Sequence, residues 1–429
     1  MLGIDKMMRL LPISLLLFAN SLCADVTVIT ARYLLDIKGQ TLLANPIVLV
    51  ENGTITQVAE QSALTIPPHA RRIDLKGQTL LPGLMDMHTH ITWADDATTE
   101  GILKTTAARA ALIGARNAQK TLLAGFTTIR NLGDDQYADI ALREAIKDGD
   151  VPGPRIFASG PFIGATGGHC DANYLSHEYD FRYQGVADGP YAIRAKIREN
   201  LKYGADLIKF CATGGVYSEG SVLSTLEYSN EEVSALVAEA KSRGVHVAAH
   251  AHGTAGIKQA LEAGVTSIEH ASFLDNEILN LAKAKGAFLA MDIQNAKDYL
   301  DSAHKAVTDI DRKAIAASQA QIDSFRLAVE SGVKLVFATD AAILKHGDNA
   351  RQFALMVELG MTPMQAIASA TLHPAELLGQ DQSLGQIAAG YKADIIAVEG
   401  NPLENIRLLE NVTFVMKDGD VYKPGSARD

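Results

Sequence analysis

The sequence has 429 residues, of which 47% are hydrophobic and 21% are charged. That composition allows a large buried core and excludes an intrinsically disordered chain. Acidic residues outnumber basic ones by 50 to 39, which gives a formal net charge of −11. The acidic excess argues against binding to nucleic acid, or to an anionic membrane surface, through a basic face. With only 3 cysteines, the chain is not a disulfide-based scaffold.

Residues 1–24 have the layout of a secretory signal peptide. A basic start precedes an apolar run over residues 10–19, which is too short to span a bilayer as a helix. We therefore expect cleavage after Ala24 and export of the mature chain to the periplasm or the exterior, with no membrane attachment. Lipoprotein anchoring at Cys23 ranks second, because Leu22 is larger than the small residue usual before a lipidated cysteine.

Both ends of the chain are rich in short β-branched segments. These segments are residues 26–30, 47–50, 54–58, 393–398 and 412–416. Asn-Gly and Asp-Gly pairs next to them are typical of β-hairpin turns. Neither end has enough strands for a complete sheet of its own. We therefore expect residues 25–82 and 380–429 to combine in one small β-sandwich domain.

Residues 83–379 have a different pattern, in which short apolar segments alternate with helix-like stretches. Eight apolar segments are predicted strands: residues 84–90, 127–131, 155–159, 207–212, 245–250, 267–270, 287–292 and 335–340. Strand followed by helix, repeated eight times, predicts a (β/α)8 TIM barrel. The alternative is a doubly wound open sheet, which favours a glycine-rich phosphate loop after its first strand. No such loop follows residues 84–90 in the sequence.

Polar residues stand at the ends of the predicted barrel strands, where TIM barrels place their catalytic groups. These residues are His88, His90, Lys209, His250, His270 and Asp340. Because His88 and His90 are two apart on one strand, both side chains face the same way. Each residue alone has an ordinary explanation, such as a core histidine or a helix cap. Four histidines, one aspartate and one lysine at the ends of five strands together predict a metal site.

The stretch Pro-Gly-Leu-Met-Asp-Met-His-Thr-His at residues 82–90 resembles the opening motif of the amidohydrolase superfamily. The resemblance covers nearly the whole mature chain. It is closest to the imidazolonepropionase-related group of exported metallodipeptidases, which includes Xaa-Pro dipeptidases and Xaa-Arg carboxypeptidases. Further matching stretches are residues 167–169, 207–215, 250–253, 268–270, 291–293, 338–340 and 346–349.

The resemblance implies a centre with two divalent metal ions. The histidines of the first strand and Asp340 would hold one ion, and the histidines ending the fifth and sixth strands would hold the other. Lys209, converted to a carbamate by CO2, would bridge the pair. Imidazole and oxygen ligands favour Zn2+. A hydroxide between the ions would attack an amide carbonyl, with Asp340 as general base and then general acid.

Five further residues are candidates for substrate contact. They are His169, Tyr228, Tyr217, His252 and Asp292. The resemblance implies a substrate-facing role for His169, whereas loop exposure is its ordinary explanation. Tyr228 has a phenol suited to a substrate oxygen, and packing is equally consistent with it. Asp292 could bind a positive substrate group or hold a loop.

Two cysteines, Cys170 and Cys211, remain once the signal segment is removed. An oxidising compartment permits a disulfide between them. Buried free cysteines are common in protein cores, so we expect two free thiols.

The leading interpretation is a dipeptidase-like enzyme that hydrolyses the amide bond of a dipeptide or an N-acyl amino acid, most like a prolidase. We expect it to act as a homo-oligomer. The enzymatic alternative is hydrolysis of a cyclic amide or an imidazolone-type substrate. The alternative of another class is a non-catalytic protein that binds metal or a small ligand. Asp340 argues against that last class, because a binding protein has no need of a general base.

Overall fold

The computed structural model of the protein describes residues 26–60, 66, 68–95 and 98–425. The predicted signal segment, with Cys23, lies outside the described residues. Among the helices described, none has both the length and the apolar character needed to cross a bilayer.

Strands from both ends of the chain form one mixed sheet of eight strands. They are β1 (Val26–Asp36), β2 (Thr41–Ala44), β3 (Pro46–Glu51), β4 (Thr54–Glu60), β5 (Arg71–Pro82), β14 (Ile395–Glu399), β15 (Phe414–Lys417) and β16 (Asp420–Pro424). Hydrogen bonds join them in the order β16-β15-β14-β5-β1-β3-β4, and β2 pairs with β1. The predicted association of the two chain ends is therefore confirmed.

Strand β5 connects the two ends of the chain. It runs parallel to β1 and antiparallel to β14, so that Leu80 lies opposite both Leu34 and Ala397. All three side chains are buried. Because both groups of strands share β5, the domain is one continuous hydrogen-bonded sheet. The predicted small β domain formed from both chain termini is confirmed.

The two expected hairpin turns are present, and they touch each other. Asn52 and Gly53 have φ angles of 49° and 76°, and Asp418 and Gly419 have φ angles of 50° and 87°. Positive φ at both central residues is the geometry that Asn-Gly and Asp-Gly favour in hairpins. A Cβ atom on Gly53 would lie 2.5 Å from the carbonyl oxygen of Asp418. Glycine therefore allows turns from opposite ends of the chain to pack together.

Eight parallel strands form the barrel, and each falls on a predicted segment. They are β6 (Leu84–Thr89), β7 (Phe126–Asn131), β8 (Arg155–Ala158), β9 (Leu207–Cys211), β10 (His246–Ala251), β11 (Ser267–His270), β12 (Phe288–Ala290) and β13 (Leu335–Val336). They pair as β6-β7-β8 and β9-β10-β11-β12-β13. The Ile163 amide donates to the backbone carbonyl of Lys209 at 2.8 Å, and the Met87 amide donates to the backbone carbonyl of Phe337 at 2.8 Å. These bonds join the two groups, so the predicted TIM barrel is confirmed.

Helices surround the barrel strands. They are α1 (Thr99–Leu103), α2 (Ala107–Leu123), α3 (Ala138–Lys147), α4 (Gly189–Lys202), α5 (Asn230–Ser242), α6 (Thr254–Ala263), α7 (Asn276–Lys285), α8 (Ile293–Asp301), α9 (Asp309–Ser331), α10 (Arg351–Glu358), α11 (Pro363–Ser369) and α12 (Leu372–Leu377). A capping box between Ser229 and Glu232 starts α5. Val233, Leu236 and Ala240 then recur on one face of α5 and are fully buried. This spacing packs the helix against the barrel core.

Candidate metal centre and active-site cavity

The carboxyl ends of the barrel strands open into one cavity of about 280 Å³. All six predicted metal-binding residues line it. They are His88, His90, Lys209, His250, His270 and Asp340. Each is on a barrel strand or within four residues of its end. The fold thus brings together side chains that are as many as 252 positions apart, from His88 to Asp340.

The first group of donor atoms comes from residues at the two ends of the barrel sequence, near the first strand β6 and the last strand β13. Nε2 of His90 lies 3.3 Å from Oδ1 of Asp340, and Nε2 of His88 lies 3.6 Å from the same oxygen. His88, His270 and Asp340 each offer an atom within 4.8 Å of the others. Nδ1 of His90 lies 3.3 Å from the carbonyl oxygen of Gly133. That contact leaves Nε2 of His90 directed at Asp340.

The second group of donor atoms contains three histidines. His250, His252 and His270 offer nitrogens within 4.8 Å of one another. Nδ1 of His252 contacts the Ser272 hydroxyl at 2.8 Å. His252 was predicted to contact substrate only, and the structure includes it among the possible metal-binding side chains.

Asp292 supports this second group. Its Oδ1 accepts hydrogen bonds from Nδ1 of His270 at 2.9 Å and from Nε2 of Gln321 at 2.7 Å. Burial alone would lower the pKa of His270, but the Asp292 carboxylate outweighs burial and raises it. The carboxylate is therefore committed to orienting His270. Asp292 also lines the cavity, so its contact with a positive substrate group stays a prediction.

Two of the ligand positions have unusual backbone geometry. His270 has a φ angle of 67°, its neighbour Ala271 has 51°, and Asp340 has 51°. Residues other than glycine seldom adopt this left-handed conformation, which costs about 1–3 kcal/mol. Such strain persists where surrounding structure enforces it, and it is concentrated at functional sites. Both strand ends therefore turn sharply where they present a side chain to the cavity.

Lys209 is buried in the middle of this histidine cluster. Only 4% of its surface is exposed, yet no hydrogen bond or ion pair to its Nζ atom occurs within the described part of the chain. Burial lowers the pKa of Lys209 to about 8, against the opposing influence of Glu269 and Asp340. An amine of this kind is easier to deprotonate than a surface lysine.

A buried ion pair lies beneath His88, and the sequence analysis did not identify it. Nη2 of Arg130 donates to Oε1 of Glu269 at 2.8 Å, and Nε of Arg130 donates to the Met87 carbonyl at 2.6 Å. Oε2 of Glu269 lies 3.1 Å from Nδ1 of His88. Arg130 and His88 together lower the pKa of Glu269 despite its burial. The carboxylate is therefore ionised and faces the outer nitrogen of a ligand histidine.

His169 reaches the cavity from the connection after β8, and several contacts fix its ring. Its Nδ1 contacts the Ser218 hydroxyl, and its backbone amide donates to Oε1 of Glu227. A Cβ atom on Gly215 would lie 2.5 Å from both ring nitrogens. The ring centroid is 4.3 Å from that of His250. His169 therefore lines the cavity beside the candidate metal ligands, and its contact with substrate stays a prediction.

The electrostatics of His169 indicate which atom is available to a ligand. Burial, with nearby His270 and Lys209, lowers the pKa of His169 to about 3, so the ring is neutral. The Ser218 hydroxyl donates to the His169 carbonyl at 3.2 Å. Its oxygen therefore accepts the Nδ1 proton, and Nε2 is left as a hydrogen-bond acceptor.

A disulfide joins Cys170 to Cys211, with a Cα–Cα distance of 6.0 Å. This corrects the expectation of two free thiols. Cys170 adjoins His169, and Cys211 is two positions beyond Lys209 on β9. Sequence separation alone does not reveal such a pair, because the barrel brings the two segments together. The bridge attaches the loop that carries His169 to a strand that carries a predicted ligand.

The two tyrosine candidates lie in different places. Tyr217 lines the cavity at its rim, where 47% of its surface is exposed. Tyr228 is buried outside the cavity, and its hydroxyl donates to the Ala187 carbonyl at 2.9 Å. The Tyr228 phenol is therefore committed to packing, which corrects the expectation that it contacts substrate.

The donor set is suited to divalent metal. Nε2 of His250 is buried and has no hydrogen-bond partner among the described residues. Burial lowers the pKa of His88 to about 4 and that of His250 well below its usual value, so both are neutral and can donate a lone pair. Unpartnered buried nitrogens are costly unless they bind something. The adjacent carboxylates are typical of the partners that orient metal-binding histidines.

Comparison with known proteins agrees with this geometry. A model of the Amidohydrolase family matches residues 79–423. The chain is 32% identical to ochratoxinase from Aspergillus niger, over 99% of this chain and 94% of that protein. A crystal structure of a Xaa-Pro dipeptidase with methionine in its active site has a TM-score of 0.88 and 39% identity, over 93% of this chain and 100% of that one.

A prolidase crystallised with N-methylphosphonate-L-proline has a TM-score of 0.85 and 29% identity, over 93% of this chain and 99% of that one. These matches span both the barrel and the terminal sheet. The protein is therefore a hydrolase that acts on amide bonds. The chain belongs to the amidohydrolase family.

Proposed function

We propose that the protein is a binuclear metal-dependent hydrolase that cleaves the amide bond of a dipeptide or an N-acyl amino acid, most like an Xaa-Pro dipeptidase. The observation that carries this proposal is the convergence of four strand-end histidines, Asp340 and Lys209 on one cavity. The likeness to a Xaa-Pro dipeptidase and to a prolidase supports the choice of substrate.

The ligands divide into two sets around Lys209. His88, His90 and Asp340 would hold one ion, and His250 and His270 the other. Lys209 would carry a carbamate, because a free ammonium has no lone pair for a metal whereas a carbamate offers two oxygens. These ligands favour Zn2+. When bound, such ions supply Lewis acidity, which polarises an amide carbonyl and makes water easier to deprotonate.

Asp340 moves the proton in the proposed reaction. His88 and His90 outweigh the effect of burial and lower the pKa of Asp340, so the carboxylate is ionised and able to accept a proton from the attacking water. It then returns that proton to the leaving amine nitrogen. One proton is accepted and one is delivered, so Asp340 ends the cycle as it began.

The remaining cavity residues bind and orient the substrate. Nε2 of His169 accepts a hydrogen bond from a polar group of the substrate. Trp93 stacks on His90 with ring centroids 4.3 Å apart, and Phe162 adds a further aromatic wall. A cavity of about 280 Å³ is at the small end of ligand sites and suits a substrate of dipeptide size.

A substrate library with metal analysis tests the proposal. The purified, metal-loaded protein is incubated with Xaa-Pro, Xaa-Arg and Xaa-Lys dipeptides, N-acetyl amino acids and ring amides. We expect two metal ions per chain and release of free amino acid from the dipeptides or N-acetyl compounds. Turnover of ring amides alone would favour a cyclic amide or imidazolone-type substrate. Bound metal without hydrolysis of any amide would favour the non-catalytic binding protein.

The carbamate has its own test. Isotope-labelled bicarbonate should give a carbamate NMR signal in the wild-type protein, and Lys209→Ala should abolish it. A wild-type protein that binds two ions without such a signal would contradict the bridging role.

Export through residues 1–24 and assembly into a homo-oligomer are also proposals. N-terminal sequencing of the mature protein and its mass in solution test them.

A further inference from the structure

Three acidic residues follow strand β7, and one of them has no partner. Asp134 accepts hydrogen bonds from the Thr92 hydroxyl and, at 3.2 Å, from the Ala138 amide. Asp139 accepts from Nδ2 of Asn131 at 3.2 Å and from the Gly160 amide at 3.1 Å. The carboxylate of Asp135 receives no hydrogen bond or ion pair from the described residues. Two of the three acids thus stabilise the fold, and Asp135 has no such role.

Asp135 is in the wall of the active-site cavity. Burial raises its pKa to about 6. The Tyr174 and Tyr183 hydroxyls are 2.6 Å apart and line the same cavity. Burial is the main cause of the raised pKa of each phenol, and the nearby Asp135 charge adds to it. Asp135 is therefore a partly buried carboxylate beside aromatic side chains, an environment that a bound cation would stabilise.

The backbone beside Asp135 is strained. Gln136 and Tyr137, which follow it directly, have φ angles of 58° and 59°. Two consecutive left-handed residues other than glycine cost about 1–3 kcal/mol each. The bonds to Asp134 and the hydrogen bond from the Tyr137 hydroxyl to Asn200, at 3.1 Å, hold the segment in this shape. Asp135 is thus fixed rigidly between two anchored neighbours.

The cavity is acidic apart from its metal-binding cluster. Asp135, Asp171 and Glu219 line it, and among the described lining residues Lys209 is the only lysine or arginine. Asp171 is already engaged by the Gly167 and Ala172 amides, at 2.9 and 2.8 Å. Glu219 is exposed to solvent, where water screens its charge. Asp135 therefore remains as the carboxylate that can pair with a cation in the cavity.

We propose that Asp135 binds an ammonium group of the substrate. This inference rests on the proposed amide hydrolysis and narrows its substrate class. The ammonium group belongs either to the free amino terminus of a dipeptide or to a lysine side chain. Simple N-acyl amino acids without a positive charge are then poor substrates.

Matched substrate pairs test the proposal on the wild-type, metal-loaded enzyme. Alanyl-proline and propionyl-proline differ only in the α-ammonium group. Propionyl-lysine and propionyl-norleucine differ in the side-chain ammonium group. A charge-assisted hydrogen bond predicts that one cationic member of these pairs has a kcat/KM about tenfold to a hundredfold above its neutral partner. The pair that shows the difference identifies the source of the ammonium group.

Substitution of Asp135 then assigns the effect to this residue. Asp135→Asn should reduce the discrimination to within about threefold, mainly by raising KM for the cationic substrate. Asp135→Glu, which keeps the charge, should restore part of it. Asp148→Asn, at the exposed end of α3, is the control for net charge and should retain the full discrimination. Thermal unfolding of each variant checks that it is folded.

The outcomes separate the two proposals. Hydrolysis of neutral and cationic partners at equal rates would overturn the role of Asp135 and leave amide hydrolysis intact. A preference for cations that persists in folded Asp135→Asn would also overturn it. Absence of hydrolysis for every compound would refute the proposed function and this inference with it. If Asp135→Asn does not fold, the wild-type comparison and Asp135→Glu still decide the question.

Discussion

The side of the cavity with the candidate metal ligands and the loop that carries His169 are built in different ways. His88, His250 and His270 lie on parallel strands, whose ladders fix each position along the barrel, and Asp340 follows the end of β13. His169 belongs to the irregular connection after β8, and side chains from distant segments hold it in place. The proposed catalytic residues therefore belong to the barrel strands and their ends, whereas the proposed substrate contact of His169 depends on a loop whose geometry is set by tertiary packing.

The largest effect should come from the strand side, with Asp340→Asn. The amide keeps an oxygen at the position that faces His88 and His90, but it does not accept a proton at neutral pH. We expect kcat to fall by about a hundredfold to ten-thousandfold while most of the metal remains bound. Steady-state kinetics with elemental analysis of the same sample measure both quantities. An Asn variant with full activity would exclude the general-base role.

The next largest effect should come from the ion pair beneath His88. Glu269→Gln removes the charge that faces Nδ1 of His88 and leaves buried Arg130 without its counter-ion. We expect metal affinity to fall about tenfold to a hundredfold, and the free energy of unfolding to fall by about 3–5 kcal/mol.

Competition with a chelator and urea unfolding of the Glu269→Gln variant provide these two values. Glu277→Gln is a matched control, because it breaks the exposed ion pair with Lys258 and should cost less than about 1 kcal/mol. Equal losses in the two variants would show that Glu269 does not orient His88.

The same contrast explains how much of the site could be predicted from the sequence. Every barrel strand was identified, because apolar segments that alternate with helices carry a periodic signal. The shared orientation of His88 and His90 follows from that signal, since residues two apart on a strand share a face. No such signal reveals the packing role of Tyr228 or the Cys170–Cys211 bridge. Nor does it reveal that the Asp135 carboxylate has no hydrogen-bond partner among the described residues. They depend on contacts between segments whose arrangement only the folded barrel determines.

On the loop side, Gly215→Ala should have a smaller effect. The new methyl group would lie 2.5 Å from the ring nitrogens of His169, so the ring must move. Gly215 is not among the residues with positive φ, so the alanine backbone itself is not strained. A displacement of about 1 Å predicts a loss in kcat/KM of up to about a hundredfold, with metal content unchanged.

A double variant controls this prediction. In a His169→Ala background, Gly215→Ala has no ring to displace and should cause little further loss. The same loss in both backgrounds would mean that Gly215 acts independently of His169.

The smallest effect on catalysis should come from the disulfide, tested by the double variant Cys170→Ser, Cys211→Ser. The bridge closes a loop between residues 41 positions apart, and its removal should lower the free energy of unfolding by about 2–4 kcal/mol. Ser218 and Glu227 still hold His169 in the variant, so kcat/KM should fall less than about tenfold. Urea unfolding and dipeptide kinetics on the same preparations separate the two effects. A loss of activity as large as that of His169→Ala would instead make the bridge the main constraint on the loop, and the side-chain contacts secondary.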